Sequence, residues 1–562
     1  MDEIEGPDMI TAGCPSTMGN AYQLNLTTLI RHAARTYPEQ EIIYRRPDGG
    51  WARYTYADCY ERVIRSANAL RDLGLRPGDR AGVLDWNSRR HFELYYSICG
   101  IGGVMLQLNQ RLALEDLAYV VNHGEARFIL VDESLLGLAE SLAPLTPNVQ
   151  AWLVMTDRSL AEIVTPLSPV LHYENMLANA SRDICWPMID EHSACAACYT
   201  TGTTGRPKGV YYAHRSEYLH TLVMSSILTM SAEDCTMLIT PMFHGQCWGL
   251  PHAAIFAATK IVLPGRYMAE DTGPLVDAII AEEVTVVNGA PAIFMPMLRY
   301  IETLPVKPDF RRLRMLSGAT EPPLSMMRAF HELTGAEVIQ AYGATETSPL
   351  VSLNRLKPSL RKKLSEDERW NLRRKQGLMV SGVDLRVLGP DDRDLPFDGI
   401  SVGEICMRGP WVSTRYHNMP EAAANFIDGY WRSGDVGSID PNGYIKITDR
   451  VKDVVKSGGE WISSIDMENA LTGHPAVLEA AVVGIAHPKW QERPLALVVL
   501  RPDTRATIEE LHAHLLPHFA KWQLPDEILF VAELPRTSVG KTNKKVIRER
   551  FSARYQGAAA EP

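Results

Sequence analysis

The sequence contains a loop rich in threonine and glycine that could hold an anion. It follows Tyr199 and reads Thr200-Thr201-Gly202-Thr203-Thr204-Gly205-Arg206-Pro207-Lys208-Gly209. Glycine lets backbone N–H groups approach a ligand closely, and hydroxyls and cations add to their effect, so polyphosphate is the expected ligand. A Walker A loop needs Gly-Lys-Ser/Thr, whereas Lys208 follows a proline and precedes a glycine. The loop therefore does not predict a P-loop NTPase, and a mobile surface turn is its plain structural alternative.

A short buried strand must position this loop. The run Ala194–Tyr199 is apolar and small, which is typical of such a strand. Similar strands are predicted at Ala81–Leu84 and Cys235–Thr240, each following a helix and a turn. This alternation favours α/β layers with mainly parallel sheets. In open sheets of this kind ligands bind at the carboxyl ends of the strands, where small-residue loops are expected to converge.

Composition and charge exclude several classes of protein. The chain has 562 residues, of which 46% are hydrophobic and 22% are charged, as in ordinary globular proteins. A net charge of −10 argues against a general nucleic-acid partner. The acidic start resembles no signal peptide, and no apolar run approaches about 18 residues, so we expect a cytoplasmic protein without an integral membrane segment. Nine cysteines are too sparse for a disulfide framework, which favours reduced thiols.

The pattern changes in the last third of the chain. Residues 355–376 are rich in charge and are expected to form an exposed helix and loop. Short alternating segments follow, such as Val383–Val387 and Gly403–Met407, and they indicate a small β-barrel or sandwich subdomain. We predict an N-terminal domain at residues 1–448 and a C-terminal domain at 449–562. The expected fold is therefore α/β, with a large multi-layer N-terminal domain, a small β-barrel subdomain and a small mobile α+β C-terminal domain.

Six motifs occur together in an order that resembles the adenylate-forming superfamily of acyl-CoA synthetases, luciferases and peptide-synthetase adenylation domains. The likeness is greatest to bacterial medium- and long-chain fatty acyl-CoA ligases, through Pro241-Met242-Phe243-His244 with Trp248 and through residues 456–464 and 487–494. The six motifs are Tyr199–Val210, Tyr342-Gly343-Ala344-Thr345-Glu346, Arg432-Ser433-Gly434-Asp435, Asp449-Arg450-x-Lys452-Asp453, Lys456-Ser457-Gly458-Gly459-Glu460 and Pro535-Arg536-Thr537-Ser538-x-Gly540-Lys541.

The resemblance assigns roles to individual residues. It implies catalytic roles for Lys541, Glu346, Thr200 and His244, with Mg²⁺ held by Glu346 and Thr200. It implies an acyl pocket at His244, Trp248 and Gly318, and a hinge at Asp449. The residues implied to bind ATP or AMP are Thr200, Thr201, Gly202, Thr203, Thr204, Gly205, Lys208, Gly318, Ala319, Tyr342, Gly343, Thr345, Asp435, Arg450, Lys452, Lys456 and Trp461. Taken singly, several have plain structural readings: Lys541 as a solvated tail lysine, Asp435 as a turn residue and Trp248 as core packing.

The implied reaction is ATP-dependent ligation of a carboxylic acid to coenzyme A through an acyl-AMP intermediate, with ATP, Mg²⁺ and CoA as cofactors and co-substrates. A medium- or long-chain fatty acid is the expected substrate. Small or polar residues near the implied acyl pocket, such as Gly245, Gly249 and Ser317–Glu321, leave an aryl or functionalised acid open. Two other hypotheses remain, an acyl-AMP ligase that loads a carrier protein and a nonenzymatic nucleotide sensor. The resemblance also leaves a homodimer open.

Overall fold

The computed structural model describes residues 11–19, 21–200, 206–268, 271–389, 391–451, 453–457, 460–536 and 542–555. The fold is mixed α/β, with a large N-terminal and a smaller C-terminal unit. The large unit comprises Met1–Asp384 and Met407–Trp431, and the smaller one comprises Leu385–Cys406 and Arg432–Pro562. The domain boundary predicted at residue 449 stays a prediction.

The β strands follow one another along the described chain. They are β1 (Glu41–Arg45), β2 (Trp51–Thr55), β3 (Arg80–Leu84), β4 (Val104–Gln107), β5 (Ala126–Asp132), β6 (Ala151–Met155), β7 (Val170–His172), β8 (Ala194–Thr200), β9 (Lys208–Ala213), β10 (Cys235–Met237), β11 (Lys260–Leu263), β12 (Val286–Gly289), β13 (Arg314–Ser317), β14 (Glu337–Gly343), β15 (Leu350–Leu353), β16 (Gly377–Met379), β17 (Asp384–Leu388), β18 (Gly403–Arg408), β19 (Phe426–Ile427), β20 (Tyr430–Ile439), β21 (Tyr444–Arg450), β22 (Val455–Ser457), β23 (Glu460–Ile462), β24 (Val477–His487), β25 (Gln491–Leu500) and β26 (Glu527–Phe530).

The α-helices occupy the segments between many of these strands. They are α1 (Thr27–Thr36), α2 (Tyr56–Leu73), α3 (Arg89–Gly100), α4 (Leu114–His123), α5 (Leu136–Leu142), α6 (Tyr173–Asn179), α7 (His214–Ile227), α8 (Gly245–Trp248), α9 (Leu250–Phe256), α10 (Gly273–Ala281), α11 (Pro291–Thr303), α12 (Leu324–Thr334), α13 (Pro358–Arg361), α14 (Glu366–Arg373), α15 (Ser464–Thr472), α16 (Ile508–Leu515) and α17 (Lys544–Phe551). Of these, α8 is a single turn with left-handed backbone angles and not a regular α-helix.

Two mainly parallel sheets form the large unit. In one, β14, β13, β12, β10, β11 and β1 run parallel in that order, and β2 pairs with β1 in the antiparallel sense. In the other, β7, β6, β5, β3, β4 and β8 run parallel, and β9 is the antiparallel partner of β8. This arrangement confirms the α/β class that the alternation of elements predicts.

Local sequence signals set the ends of α2. The Thr55 hydroxyl accepts a hydrogen bond from the Asp58 backbone N–H, and the Asp58 carboxylate accepts one from the Thr55 N–H, which forms a capping box. At the other end Gly74 adopts a left-handed conformation with φ of 109°. Glycine tolerates this conformation because it has no Cβ.

One strand ends earlier than the sequence predicts. The apolar run suggested a strand over Cys235–Thr240, but β10 stops at Met237. The Asn288 amide oxygen accepts hydrogen bonds from the backbone N–H groups of Ile239 and Thr240. The Asn87 amide donates to the carbonyl oxygens of residues 238–240. Two asparagine side chains thus replace the strand ladder, which hydrophobicity alone does not show.

The smaller unit is built around two antiparallel hairpins. Strands β20 and β21 pair with Asp435 opposite Arg450. The long strands β24 and β25 form the second hairpin, to which β26 adds in the parallel sense. Apolar side chains from β24, β25, α15 and α16 form one core, and a second core on the other face includes Ile547 of α17. In the part of the chain that the structure describes, no helix is long and apolar enough to cross a membrane.

A substitution at Phe294 tests the apolar core that includes residues of β12 and β13. The Phe294 ring is fully buried and packs edge-on against Phe330 at 6.4 Å between centroids. We expect Phe294→Ala to cost about 3–5 kcal/mol and lower the melting temperature, because it leaves a cavity. Val306→Ala is the control, since Val306 is 80% exposed. Equal melting temperatures for both variants in thermal unfolding would contradict this packing.

Candidate active site

The strands β8 and β9 flank the threonine- and glycine-rich loop. Thr200 lies opposite Lys208, and Tyr199 lies opposite Gly209. A Cβ added at Gly209 would be 2.8 Å from the Tyr199 ring, so this glycine lets the two strands pack closely. Residues 201–205, to which the sequence assigned phosphate binding, lie outside the described residues. The hairpin therefore fixes both ends of the predicted phosphate loop.

Lys208 is half-buried between side chains of residues 416–425. Its ammonium group lies 4.8 Å from the centre of the Tyr416 ring and donates to the Asn425 side-chain oxygen at 3.2 Å. The backbone N–H of His417 also donates to the Gly209 carbonyl at 2.9 Å. A cation over an aromatic face is attracted by the ring quadrupole. Lys208 therefore has a defined position at the foot of the loop.

Glu346 lies in a short 3₁₀ turn, Thr345–Thr347, just after β14. Its side chain is 8% exposed and accepts a hydrogen bond of 2.7 Å from the Tyr416 hydroxyl. Tyr212 of β9 donates to the Thr345 carbonyl at 2.8 Å. Burial raises the pKa of Tyr416, and the Glu346 carboxylate raises it further, so Tyr416 remains a donor. Lys208 therefore lies over the ring face of Tyr416, and Glu346 accepts a hydrogen bond from the hydroxyl of the same residue.

The end of β14 requires a glycine. A Cβ at Gly343 would be 1.7 Å from the Pro349 carbonyl oxygen, so any side chain would displace the backbone. Gly343 is exposed, and the preceding Tyr342 is half-buried opposite Ser352 of β15. The family resemblance assigned Tyr342, Gly343 and Thr345 to the nucleotide. All three lie close to Glu346 at the end of β14 and in the 3₁₀ turn that follows it.

The neighbouring strand β13 ends at a second small-residue loop. Gly318 is buried, and a Cβ there would be 2.8 Å from the Trp248 ring. Ala319 is exposed and has a left-handed backbone with φ of 68°. The structure thus places Trp248 and Gly318, two residues assigned to the acyl pocket, in contact. His244, the third, is exposed at the start of the same turn.

Trp248 lies on an unusual left-handed turn. Gly245, Gln246, Cys247, Trp248 and Gly249 all have φ between 49° and 70°. This conformation costs roughly 1–2 kcal/mol for each non-glycine residue. The Asn288 amide, which accepts from the end of β10, also donates to the Cys247 carbonyl at 2.8 Å. Strain of this kind persists only where the surroundings fix it, and it is common at functional sites.

In the smaller unit, Asp435 and Arg450 form a cross-strand ion pair at 2.8 Å. The Asp435 side chain is largely buried, and the Arg450 side chain is about half exposed. The Glu404 carboxylate supports the turn before Asp435, because it accepts from the Gly434 N–H at 3.1 Å and from Arg432 at 2.8 Å. A buried acceptor at a tight turn is suited to hydroxyl groups.

Asp449 is fully buried at the end of β21. Its carboxylate accepts from the backbone N–H groups of Arg450 at 2.7 Å and Ser464 at 2.6 Å. Burial raises its pKa, against the opposing effect of Lys544. Lys456 is half-buried in β22 and lies opposite Trp461 of β23. Lys452 and Lys541 lie outside the described residues.

Beneath the large unit's site lies a cluster of buried polar side chains, here called the polar cluster. It consists of Glu217 and His220 on α7 and Gln246 on the left-handed turn. Their exposed fractions are 0%, 1% and 2%. Both Glu217 carboxyl oxygens, both Gln246 amide atoms and His220 Nδ1 lack a hydrogen-bond partner among the described residues. Buried polar atoms are usually satisfied, so this cluster is exceptional.

Sequence reasoning did not find Tyr416, Asn288, Glu404 or the polar cluster. Tyr416 is 70 residues from Glu346 in the chain and shares no local pattern with it. Glu217 lies on α7, outside the six motifs. Such contacts join segments that are far apart in the chain, so the spacing of residues along the sequence does not reveal them.

The described residues contain no group of three or more His, Cys, Asp or Glu side chains placed to hold a metal ion. Magnesium is commonly held by one or two carboxylates together with substrate phosphates and water. A single carboxylate such as Glu346, with the Thr200 hydroxyl on the flanking strand, is compatible with that mode.

Loops at the carboxyl ends of parallel strands, here beside the buried Glu346 carboxylate, are where open α/β enzymes commonly bind their ligands. A family model described as AMP-binding enzyme matches residues 30–417. A second, the AMP-binding enzyme C-terminal domain, matches residues 466–541. The chain therefore belongs to the AMP-binding enzyme family.

Individual relatives match almost the whole chain. A long-chain-fatty-acid–CoA ligase from Thermus thermophilus is 42% identical over 97% of this chain and 98% of its own. A medium-chain-fatty-acid–CoA ligase from Ectopseudomonas oleovorans is 36% identical over 94% of this chain and 96% of its own. ATP-bound MatB from Rhodopseudomonas palustris superposes with a TM-score of 0.78 at 26% identity, covering 95% of this chain and all of its own.

Glu217 predicts a pH dependence of stability. Burial raises the pKa of its carboxyl from 4.5 to about 8. Between these values the unfolded chain loses the proton while the folded chain keeps it, so the contribution to stability falls as pH rises. We expect Glu217→Gln to raise the melting temperature more at pH 8 than at pH 5.

Glu174→Gln is the control, because the pKa of Glu174 is shifted in the opposite direction to that of Glu217. Burial raises the pKa of Glu174, but Arg62 and Arg90 outweigh it and lower the value to about 2. The stability from Glu174 is therefore present above its unfolded pKa and is lost as pH falls towards 2. This variant should melt earlier than wild type at both pH 5 and pH 8. A gain for Glu217→Gln that is equal at both pH values would contradict a raised pKa.

Proposed function

We propose that the chain joins a medium- or long-chain carboxylic acid to coenzyme A through an acyl-adenylate. The carrying observation is the buried Glu346 carboxylate, held by Tyr416 beside the hairpin that flanks the threonine- and glycine-rich loop. Its setting within the AMP-binding family and the likeness to fatty-acid–CoA ligases over nearly the full chain support the acid and the acceptor.

The reaction has two displacements. In the first, a carboxylate oxygen of the acid bonds to the α-phosphorus of ATP, and the bond to the bridging oxygen breaks as pyrophosphate leaves. In the second, the CoA sulfur bonds to the acyl carbon, AMP leaves, and the thiol proton passes to solvent. Two anions meet in the first step, so fixed positive charge near the developing negative charge lowers the barrier.

The chain's own residues divide these tasks. In this proposal the loop Thr200–Lys208 holds the departing pyrophosphate, and Glu346 with Thr200 holds Mg²⁺, which neutralises phosphate charge when bound. Lys541 supplies a compact charge between the carboxylate and the α-phosphate. Asp435 accepts hydrogen bonds from the ribose hydroxyls.

The remaining assigned residues act on the nucleotide and the acyl group. Tyr342, Gly343, Thr345, Gly318 and Ala319 receive the adenine and its surroundings. Arg450, Lys452, Lys456 and Trp461 are further residues that we assign to the nucleotide. Asp449 is the proposed hinge residue, at which the backbone would change conformation between the two half-reactions. Its carboxylate accepts hydrogen bonds from the backbone N–H groups of Arg450 and Ser464, which connect the end of β21 to the start of α15.

The acyl pocket in this proposal is lined by His244, Trp248 and Gly318. The contact between Trp248 and Gly318 places an aromatic wall at the end of β13. A second candidate, an acyl-AMP ligase that loads a carrier protein, differs only in the acceptor thiol. Turnover measured with CoA and with free carrier proteins separates the two. A cytoplasmic location and a homodimer remain predictions.

Lys541→Ala separates the half-reactions. We expect it to abolish acid-dependent pyrophosphate exchange, because the α-phosphate loses its cation, while acyl-CoA still forms from supplied acyl-adenylate. Lys545→Ala is the matched control, since its side chain is exposed and its ammonium group lies 3.9 Å from the Glu549 carboxylate. Equal losses in both half-reactions would show that Lys541 does not act on adenylation alone.

Glu346→Gln tests the magnesium assignment. Removing the charge but not the shape should raise the Mg²⁺ concentration required for half-maximal adenylation by about tenfold or more, since Mg²⁺ prefers carboxylate ligands. The control is Glu337→Gln at the opposite end of β14, where the carboxylate pairs with Arg355 at 2.9 Å. An unchanged Mg²⁺ requirement in Glu346→Gln would assign the ion to other residues.

A further inference from the structure

We propose that the polar cluster is a subsite for an uncharged hydrogen-bonding group, such as a hydroxyl or a ketone, carried by the chain of the acid substrate. This inference rests on the proposed acid–CoA ligase function and narrows its substrate to a functionalised acid. The observation behind it is a set of fully buried donors and acceptors that no described residue satisfies.

His220 presents a defined donor. The Leu350 backbone N–H donates to its Nε2 at 3.2 Å, so Nε2 is the unprotonated nitrogen of a neutral ring. Nδ1 therefore carries the proton, and it has no partner. A Cβ at Gly249 would be 2.6 Å from Nδ1, which places this donor against the left-handed turn.

Glu217 and Gln246 supply the other atoms. Glu217 precedes His220 by three residues on α7 and therefore shares its face. Burial raises the pKa of the Cys198 thiol to about 12, and the nearby Gln246 backbone and Glu217 carboxyl also act on it. Both residues thus lie close to Cys198. Ser348 lowers the pKa of Glu217 against the larger effect of burial, but its hydroxyl donates to the Trp411 carbonyl at 3.0 Å and makes no hydrogen bond with Glu217 in the structure.

The subsite adjoins the candidate active site. Gln246 precedes Trp248 by two residues on the turn, and Trp248 contacts Gly318 at the end of β13. Ser317, the next residue back, is also fully buried with an unpartnered hydroxyl. A group that enters past Trp248 would therefore meet hydrogen-bonding atoms where a tunnel for plain alkyl chains would present apolar ones.

The surroundings select an uncharged group. Burial lowers the pKa of His220 to about 3, and nearby His252 lowers it further, so the ring is neutral at physiological pH. Burial also keeps Glu217 protonated at neutral pH. With no ionised partner on either side, an ammonium or a second carboxylate would be buried without compensation, whereas a hydroxyl or carbonyl would be satisfied.

The test compares pairs of acids of equal chain length. Hexanoate is set against 6-hydroxyhexanoate and 5-oxohexanoate, and octanoate against 8-hydroxyoctanoate, with kcat/KM measured by acid-dependent pyrophosphate release. We expect wild type to favour at least one functionalised acid over its plain partner by about tenfold or more, since a buried donor left unpaired is costly. The same ratio is then measured for Gln246→Met and Glu217→Met, which keep side-chain length but remove the polar atoms.

The variants should lose the preference and retain or improve turnover of the plain acid. Gln107→Met is the matched control, because Gln107 is 2% exposed with an unpartnered amide nitrogen but lies on β4 of the other sheet. It should leave the ratio unchanged. Turnover of plain acids by wild type with no preference, or a preference that survives both variants, overturns the subsite. Failure to activate any acid, plain or functionalised, overturns the proposed function itself.

Discussion

The hydrogen bond from Tyr416 to Glu346 is the interaction on which the large unit's site depends. It holds a buried carboxylate in one position, and the face of the same ring receives the Lys208 cation. The Tyr416 hydroxyl thus satisfies one oxygen of a buried carboxylate, which would otherwise lack that partner. The tyrosine comes from residues 407–431, a segment that returns to the large unit after the chain has left it. Site formation is thus coupled to completion of that unit's fold.

A second constraint is the left-handed turn that carries Trp248. Successive residues in this conformation are unfavourable, and the turn persists because Asn288 binds both its Cys247 carbonyl and the end of β10. One buried amide therefore ends a strand and fixes the position of an aromatic side chain. The acyl pocket is proposed beside this turn, and a tryptophan held in one position there would suit discrimination between acids by shape.

The smaller unit supports its assigned residues in a different way. Asp435 and Asp449 both lie on the β20–β21 hairpin. Asp435 pairs with the Arg450 side chain, whereas Asp449 accepts hydrogen bonds from two backbone N–H groups. An ion pair with a half-exposed arginine can be exchanged for ligand hydroxyls at little cost, because such pairs contribute weakly. Buried backbone hydrogen bonds are not exchanged so easily. The two aspartates are therefore suited to a binding role and a structural role respectively.

The sequence by itself determined the α/β class, the ends of α2, the strand β8 and the family, because caps, periodicity and linear motifs are local. The family resemblance also proposed roles for Glu346, Trp248 and Gly318, which stay predictions. Only the tertiary structure decided that Tyr416 would hold Glu346, that β10 would end at Met237, and that Glu217, His220 and Gln246 would be buried with unsatisfied polar atoms. The physical reason is that hydrogen bonding and desolvation depend on which distant segments meet in space, and residue spacing along the chain does not encode that meeting.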